Sequence, residues 1–139
     1  MCDRNRRLAH LYFAKFPHDE SLVEEALSSG FVFHHLRVIT EPDDFRTFMR
    51  GVSKAFPDFR FDIHHLVAED DLVAAHYTFA GTQNDTFLDS VPSRGRSFST
   101  RGMSVFRCAG GRISELWVTF HTLAMMQQLG AVGEVGDGI

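Results

Sequence analysis

The chain has 139 residues, a hydrophobic share of 44% and a formal net charge of −4. That length supports one hydrophobic core without disulfides or metals. With no block of like charge and no basic stripe, nucleic acid and anionic membranes are not expected as partners. The two cysteines, Cys2 and Cys108, have neither CxxC nor zinc-finger spacing, so no disulfide framework and no metal are expected, and a reducing, cytoplasmic setting is the default. No signal peptide or membrane span is expected, because no apolar stretch reaches the length of either. Fourteen phenylalanines are many for this length, and some of them are expected to line a cavity.

Asp3 is a candidate N-cap, and Leu8, Leu11, Tyr12 and Phe16 recur at helical spacing until Pro17, which predicts a first helix with one buried face. Ser21 and Glu24 have the spacing of a capping box, and Gly30 is placed to close a short second helix. The β-prone run over residues 31–36 leads to a turn at Thr40-Glu41-Pro42-Asp43. After it, Phe45, Phe48, Val52 and Phe56 mark the inner face of a third helix. Beyond Pro57-Asp58, strand-length runs over 59–68 and 72–81 flank Glu69-Asp70-Asp71 and predict an antiparallel hairpin. Both arms are apolar on both faces, as strands covered by layers on each side are. Residues 83–96 are rich in turn formers and predict a long loop of the kind that covers pockets. A second hairpin, 97–108 and 112–121, turns at Ala109-Gly110-Gly111, and a short helix over 123–129 ends at Gly130. Helices first and a meander of strands afterwards define an α+β class, with helices on one face of a curved antiparallel sheet. Residues 1–130 read as one domain and 131–139 as a flexible tail.

Along Ile113-Ser114-Glu115-Leu116-Trp117-Val118-Thr119-Phe120-His121, alternation puts Glu115, Trp117 and His121 on one face and Leu116, Val118 and Phe120 on the other. A carboxylate, an indole and an imidazole in a row predict the inner wall of a ligand pocket. His121 is the candidate general acid/base, since imidazole changes charge near neutral pH. Glu115 lies about 20 Å from it along an extended strand, too far to orient it. It is expected to bond backbone groups or an arginine, with substrate binding as its other role. Trp117 is expected to stack on a flat ligand. His34 and His35 are neighbours, so one of the pair is expected to face the cavity. His65 and His76 fall among apolar residues on the first hairpin, and they join Tyr77 and Phe33 as candidate substrate-binding residues. No His-x-x-x-His exists on a helix, so metal binding is not expected, although a His34, His65 and His121 cluster assembled by folding stays open. No G-x-S-x-G elbow exists, and Gly110-Gly111 precedes a strand rather than a phosphate-binding helix.

Phe31-Val32-Phe33-His34, Ala55-Phe56-Pro57-Asp58, Leu66-Val67-Ala68-Glu69-Asp70-Asp71-Leu72-Val73, Gly81-Thr82, Gly111-Arg112-Ile113-Ser114-Glu115-Leu116-Trp117 and Gln128-Leu129-Gly130 together resemble the SnoaL-like polyketide cyclase family in order and spacing. The resemblance covers nearly the whole chain. It implies a strongly curved mixed β-sheet forming a cone around a pocket, of the cystatin-like superfamily, closed by N-terminal helices and assembled as a homodimer or higher homo-oligomer. It also implies an aldol cyclisation that needs no cofactor or metal. The family's acid/base aspartate stands six residues after the glutamate of E-x-W, and here that position is His121. The histidine of F-V-x-H falls on His34, which the resemblance makes an orienting or second acid/base group. Two stretches depart from the family: GTH reads Gly81-Thr82-Gln83, and the PTG turn reads Pro92-Ser93-Arg94-Gly95. The expected activity is acid/base catalysis, as lyase or isomerase, on a hydrophobic carbonyl-bearing small molecule by cyclisation, isomerisation or dehydration. A non-catalytic small-molecule-binding module of the same fold is the alternative. A third reading is a hydroxylase-like descendant whose substrate itself activates oxygen.

Overall fold

In a computed structural model that describes residues 2–87 and 91–133, the elements run α1 (Cys2–Lys15), α2 (Ser21–Ala26), β1 (Leu27–His34), β2 (Val38–Ile39), α3 (Pro42–Ala55), β3 (Arg60–Glu69), β4 (Leu72–Thr82), β5 (Ser97–Ala109), β6 (Arg112–Phe120) and α4 (Thr122–Leu129). The strands form one sheet in the order β2-β1-β6-β5-β4-β3. β1 runs parallel to β6, and the other neighbours are antiparallel. The sheet is therefore mixed, with N-terminal helices and a short C-terminal helix, as the α+β cone requires. β3 is one edge, and it carries a bulge between Ile63 and His65. Among the described residues, no helix is long and apolar enough to cross a membrane.

The helices share one face of the sheet. Tyr12 and Phe13 of α1 meet Phe106 of β5 with ring centroids 5.4 and 5.5 Å apart, while Phe45 of α3 meets Phe31 and Phe33 of β1 at 5.2 and 5.1 Å. These rings are buried together with Leu8, Met49, Ile113 and Leu116, so aromatic contact adds to apolar burial in holding helix to sheet. The opposite face is left uncovered by the described residues, and Val67 and Met103 on it stay 61% and 59% exposed. The expected second layer over the first hairpin is thus not supplied by the described residues.

The chain departs from the sequence pattern near its start. β1 begins at Leu27, and Gly30 lies inside the strand, at an irregularity in its pairing with β6 between Leu27 and Val32, instead of closing α2. The capping box does not form. Glu20 is the N-cap without a side-chain bond, the Ser21 N–H donates to Asp19 Oδ1 (3.0 Å), and Lys15 Nζ donates to Ser21 Oγ (2.7 Å). A nearby ammonium has recruited the hydroxyl that the box needed. The hydrogen bonds from Ser21, with that from Lys15, hold the Asp19 carboxyl down to about 2. Arg112 Nη1 of β6 donates to the carbonyls of Glu24 and Leu27 (2.6 and 3.2 Å), tying the start of β1 to its parallel partner.

The other boundaries follow their local signals. Pro42 opens α3, and Gly130 closes α4 in the left-handed conformation at φ 80°, where a side chain would be strained. In the long loop, Gln83 is 1% exposed, and its Nε2 donates to the carbonyls of Val91 (2.7 Å) and Asp85 (3.1 Å). One buried amide thereby gathers both ends of the loop and turns Phe87 inward. The short β2 has no counterpart in the sequence reading, and most of the expected tail, 134–139, lies outside the described residues. Because Phe106 is fully buried against α1, Phe106→Ala should cost about 3–5 kcal/mol, read as a lowered urea midpoint at unchanged m-value.

Candidate active site

Where α1, α3 and α4 cover the sheet they leave a cavity. Tyr12, Phe16, Phe33, His35, Phe48, Val52, Phe59, Phe61, Tyr77, Phe79, Phe87, Val118, Phe120 and Met125 line it. The space open to a water-sized sphere is about 60 Å³, and about 520 Å³ when the mouth is included. The wall is almost wholly apolar. Its polar atoms are those of one imidazole and two phenols, which is the economy of a site that binds by apolar surface and orients by a few polar contacts.

β6 presents Val118 and Phe120 to this cavity, the face opposite the one expected to line it. Leu116, Val118 and Phe120 form the more apolar row, and the hydrophobic effect turns that row toward the helices and leaves Glu115, Trp117 and Thr119 outside. The parallel register carries the choice into β1, where Phe33 pairs with Leu116 and His34 with Trp117. His34 is therefore outside the cavity and His35 lines it. On the outer face, His34 Nε2 lies 2.6 Å from Glu115 Oε2, and its ring stacks on Trp117 at 5.2 Å and 3°. Arg107 Cζ stands 5.7 Å from the centre of the Trp117 ring. Glu115 thus bonds His34 instead of a backbone group or arginine, and neither Glu115 nor Trp117 lines the cavity.

The remaining candidates divide in the same way. Tyr77 and Phe33 line the cavity. His65 and His76 do not; their Nδ1 atoms are 3.2 Å apart on the outer face, and the adjacent His64 bonds Thr78 Oγ1 at 2.7 Å. Alternation assigns His64 and His65 to opposite faces, but the bulge between Ile63 and His65 breaks the alternation and leaves both beside β4's outward residues. His121 is exposed at the N-cap of α4, one residue beyond Phe120 and outside the lining set. Its backbone N–H donates to the Arg101 carbonyl (3.3 Å), and its carbonyl accepts from Met125 (3.1 Å). His34 and His65 are not brought together, since β6, β5 and β4 separate β1 from β3. Among the described residues, no three His, Cys, Asp or Glu side chains are grouped to hold a metal ion.

Of the neighbouring pair His34 and His35, the one on the cavity wall is His35, which the sequence reading did not name as a site residue. Its ring centre lies 5.1 Å from that of Phe120, 5.6 Å from Phe33 and 5.9 Å from Phe48. Burial among these rings pushes its pKa down to about 4, because charge is poorly solvated there. The two phenols are driven the other way. Burial takes Tyr77 up to about 12, and burial with the neighbouring Tyr77 raises Tyr12 well above the usual phenol range. At neutral pH the cavity therefore offers one uncharged imidazole and two protonated hydroxyls. The signal that could have found His35 was its i,i+2 relation to Phe33 on β1.

An α+β cone with an aromatic cavity under its helices defines the structural class. The SnoaL-like polyketide cyclase family matches residues 6–129, and the chain belongs to that family. Among similar solved structures, TsrD from Streptomyces laurentii shares 24% identity, with 94% of this chain and 97% of that one covered at a TM-score of 0.84. AclR from Streptomyces galilaeus, described as a candidate hydroxylase, shares 23% over 99% and 88% of the two chains at 0.84. An M. tuberculosis LEH-like epoxide hydrolase shares 18% over 94% and 92% at 0.74. At these identities the likeness speaks for the fold alone. No curated protein matches the sequence.

The depressed pKa of His35 couples to stability with a definite sign. An unfolded imidazole titrates near 6.5, so between about pH 6.5 and pH 4 the unfolded chain binds a proton that folded His35 refuses. Its contribution is fully present above that window and is lost as the pH falls through it, on the order of 3 kcal/mol in total. Relative to the wild type, His35→Phe should lose less stability between pH 7 and pH 4.5, measured as the difference in urea midpoints.

Proposed function

We propose that the protein is a cofactor-independent acid/base catalyst acting on an apolar, carbonyl-bearing small molecule, with His35 as the proton-transfer group. The observation that carries this reading is a neutral imidazole on the wall of a cavity otherwise built from aromatic and aliphatic surface. In such a site the imidazole takes a proton from carbon next to a carbonyl, leaving an enolate. The enolate then either attacks a second carbonyl, forming a C–C bond whose alkoxide takes the proton back, or is reprotonated at another carbon. Atoms and charge balance in both courses.

A pKa of about 4 makes His35 a weak base in the empty cavity. The ion pair formed by proton transfer offsets this, because imidazolium beside enolate in a low-dielectric site attracts strongly and raises the imidazole pKa. The substrate supported by this argument has an activated C–H, as between or beside carbonyls, and a flat apolar body that fits among the rings. Family membership supports the same class of chemistry.

A binding module without catalysis is the second reading, and the small space open to a water-sized sphere, about 60 Å³, favours it, since a ligand larger than one ring must use the mouth or move side chains. His121 and His34 remain the positions that the family's pattern would favour for acid/base work. Their places on the exposed cap and the outer face are what moves the proposal to His35.

Deuterium exchange into 2-tetralone, followed by NMR, separates these readings. His35→Phe should slow protein-dependent exchange by a hundredfold or more while changing ligand affinity only a few-fold, and His121→Leu and His34→Ala should retain it. Undiminished exchange in His35→Phe with loss in His121→Leu would return the acid/base role to His121. Saturable binding without exchange in the wild type would favour the binding module.

A further inference from the structure

On the cavity wall, the hydroxyl of Tyr77 lies 2.7 Å from Ser104 Oγ, and both residues are 3% exposed. Tyr77 on β4 and Gly102 on β5 are register partners, and the Tyr77 ring lies directly over the glycine. A methyl there would stand 2.7 Å from Tyr77 Cε2 and 3.0 Å from its hydroxyl. Only glycine leaves that space, so the position of the phenol is built into the sheet.

The two hydroxyls hold two protons, and the bond between them uses one. Among the described residues neither oxygen has another partner. A buried donor left unpaired is costly, and Ser104 stands behind the wall while Tyr77 is part of it. The arrangement with the lower cost has Ser104 donating to the Tyr77 oxygen and the Tyr77 proton directed to the cavity. We propose that the Tyr77 hydroxyl, positioned by Ser104 and Gly102, is a donor site for a carbonyl oxygen of the ligand. The inference rests on the cavity's being the ligand site, as in the proposed function. Because burial keeps this phenol protonated up to about pH 12, the donor is present throughout the working range. A hydrocarbon or an ammonium as ligand head would leave the proton unmet; an oxygen acceptor meets it.

The site also divides the ligand. From His35 the wall runs through Phe120 and Phe79 to Tyr77, with ring centroids 5.1, 5.2 and 6.1 Å apart in turn. The acidic C–H belongs beside His35, and the oxygen that Tyr77 holds belongs three ring contacts further along. A molecule with oxygen functions at separated positions on a flat carbon frame satisfies both ends.

Infrared spectroscopy of bound acetophenone labelled with carbon-13 at the carbonyl tests the donor directly. The carbonyl stretch should move to lower frequency in the wild type and in His35→Phe, move less in Ser104→Ala, and show no such shift in Tyr77→Phe. Relative to ethylbenzene, which has the same shape without the oxygen, acetophenone should lose about tenfold in affinity in Tyr77→Phe. A shift or affinity ratio equal in wild type and Tyr77→Phe would overturn the proposal, and so would the absence of saturable acetophenone binding. Undiminished exchange catalysis in His35→Phe with the shift intact would overturn only the catalytic reading of His35.

Discussion

The parallel pairing of β1 with β6 is the constraint on which the rest of the molecule depends. It joins residues from the two ends of the chain at the middle of the sheet, and Arg112 secures it by bonding carbonyls at the start of β1. Its register decides more than strand order. With Phe33 opposite Leu116 and His34 opposite Trp117, the burial of one apolar row on β6 places His35 within the cavity and His34 outside. A slip by one residue would exchange the two histidines.

The interior combines strong apolar packing with little polar content, and the chemistry of its polar groups follows from that ratio. The same burial that lowers an imidazole pKa raises a phenol pKa, because both shifts disfavour charge. Aromatic surface supplies the binding energy for a flat molecule, while a few uncharged donors and acceptors supply orientation. The outer face follows the opposite rule. His34, Glu115, Trp117 and Arg107 assemble at partial exposure, where water solvates charge.

Much of the fold was legible in the sequence because its signals were local and agreed with one another. Pro42, Gly130, the Glu69-Asp70-Asp71 connection and the Gly110-Gly111 turn each mark a boundary found nearby. The family's dispersed motifs gave the mixed sheet and the closing helices, which periodicity alone did not. The start of β1 was misread, since Ser21, Glu24 and Gly30 mimic a helix from cap to end, and the contacts that override them come from Lys15 and from Arg112, distant in sequence. The cavity wall was expected on the face of β6 opposite to the one that Val118 and Phe120 present to it. Alternation correctly separates Glu115 and Trp117 from Val118 and Phe120, but it does not say which side is covered. That choice depends on where Tyr12, Phe16 and Phe48 pack, a tertiary fact. Tyr77 and Phe33, expected at the pocket as aromatic residues on apolar strands, line the cavity; of the neighbouring histidines the motif singled out His34, whereas the wall holds His35.

The bulge in β3 bears on association between chains as well as on the histidines. An edge strand of ten residues exposes a row of amides and carbonyls that another strand could join, extending the sheet from one molecule to the next. By breaking the spacing of that row between Ile63 and His65, the bulge leaves no uninterrupted run for a flat partner strand to match. The edge is thus guarded by backbone geometry, while the broad outer face is one that the described residues leave uncovered.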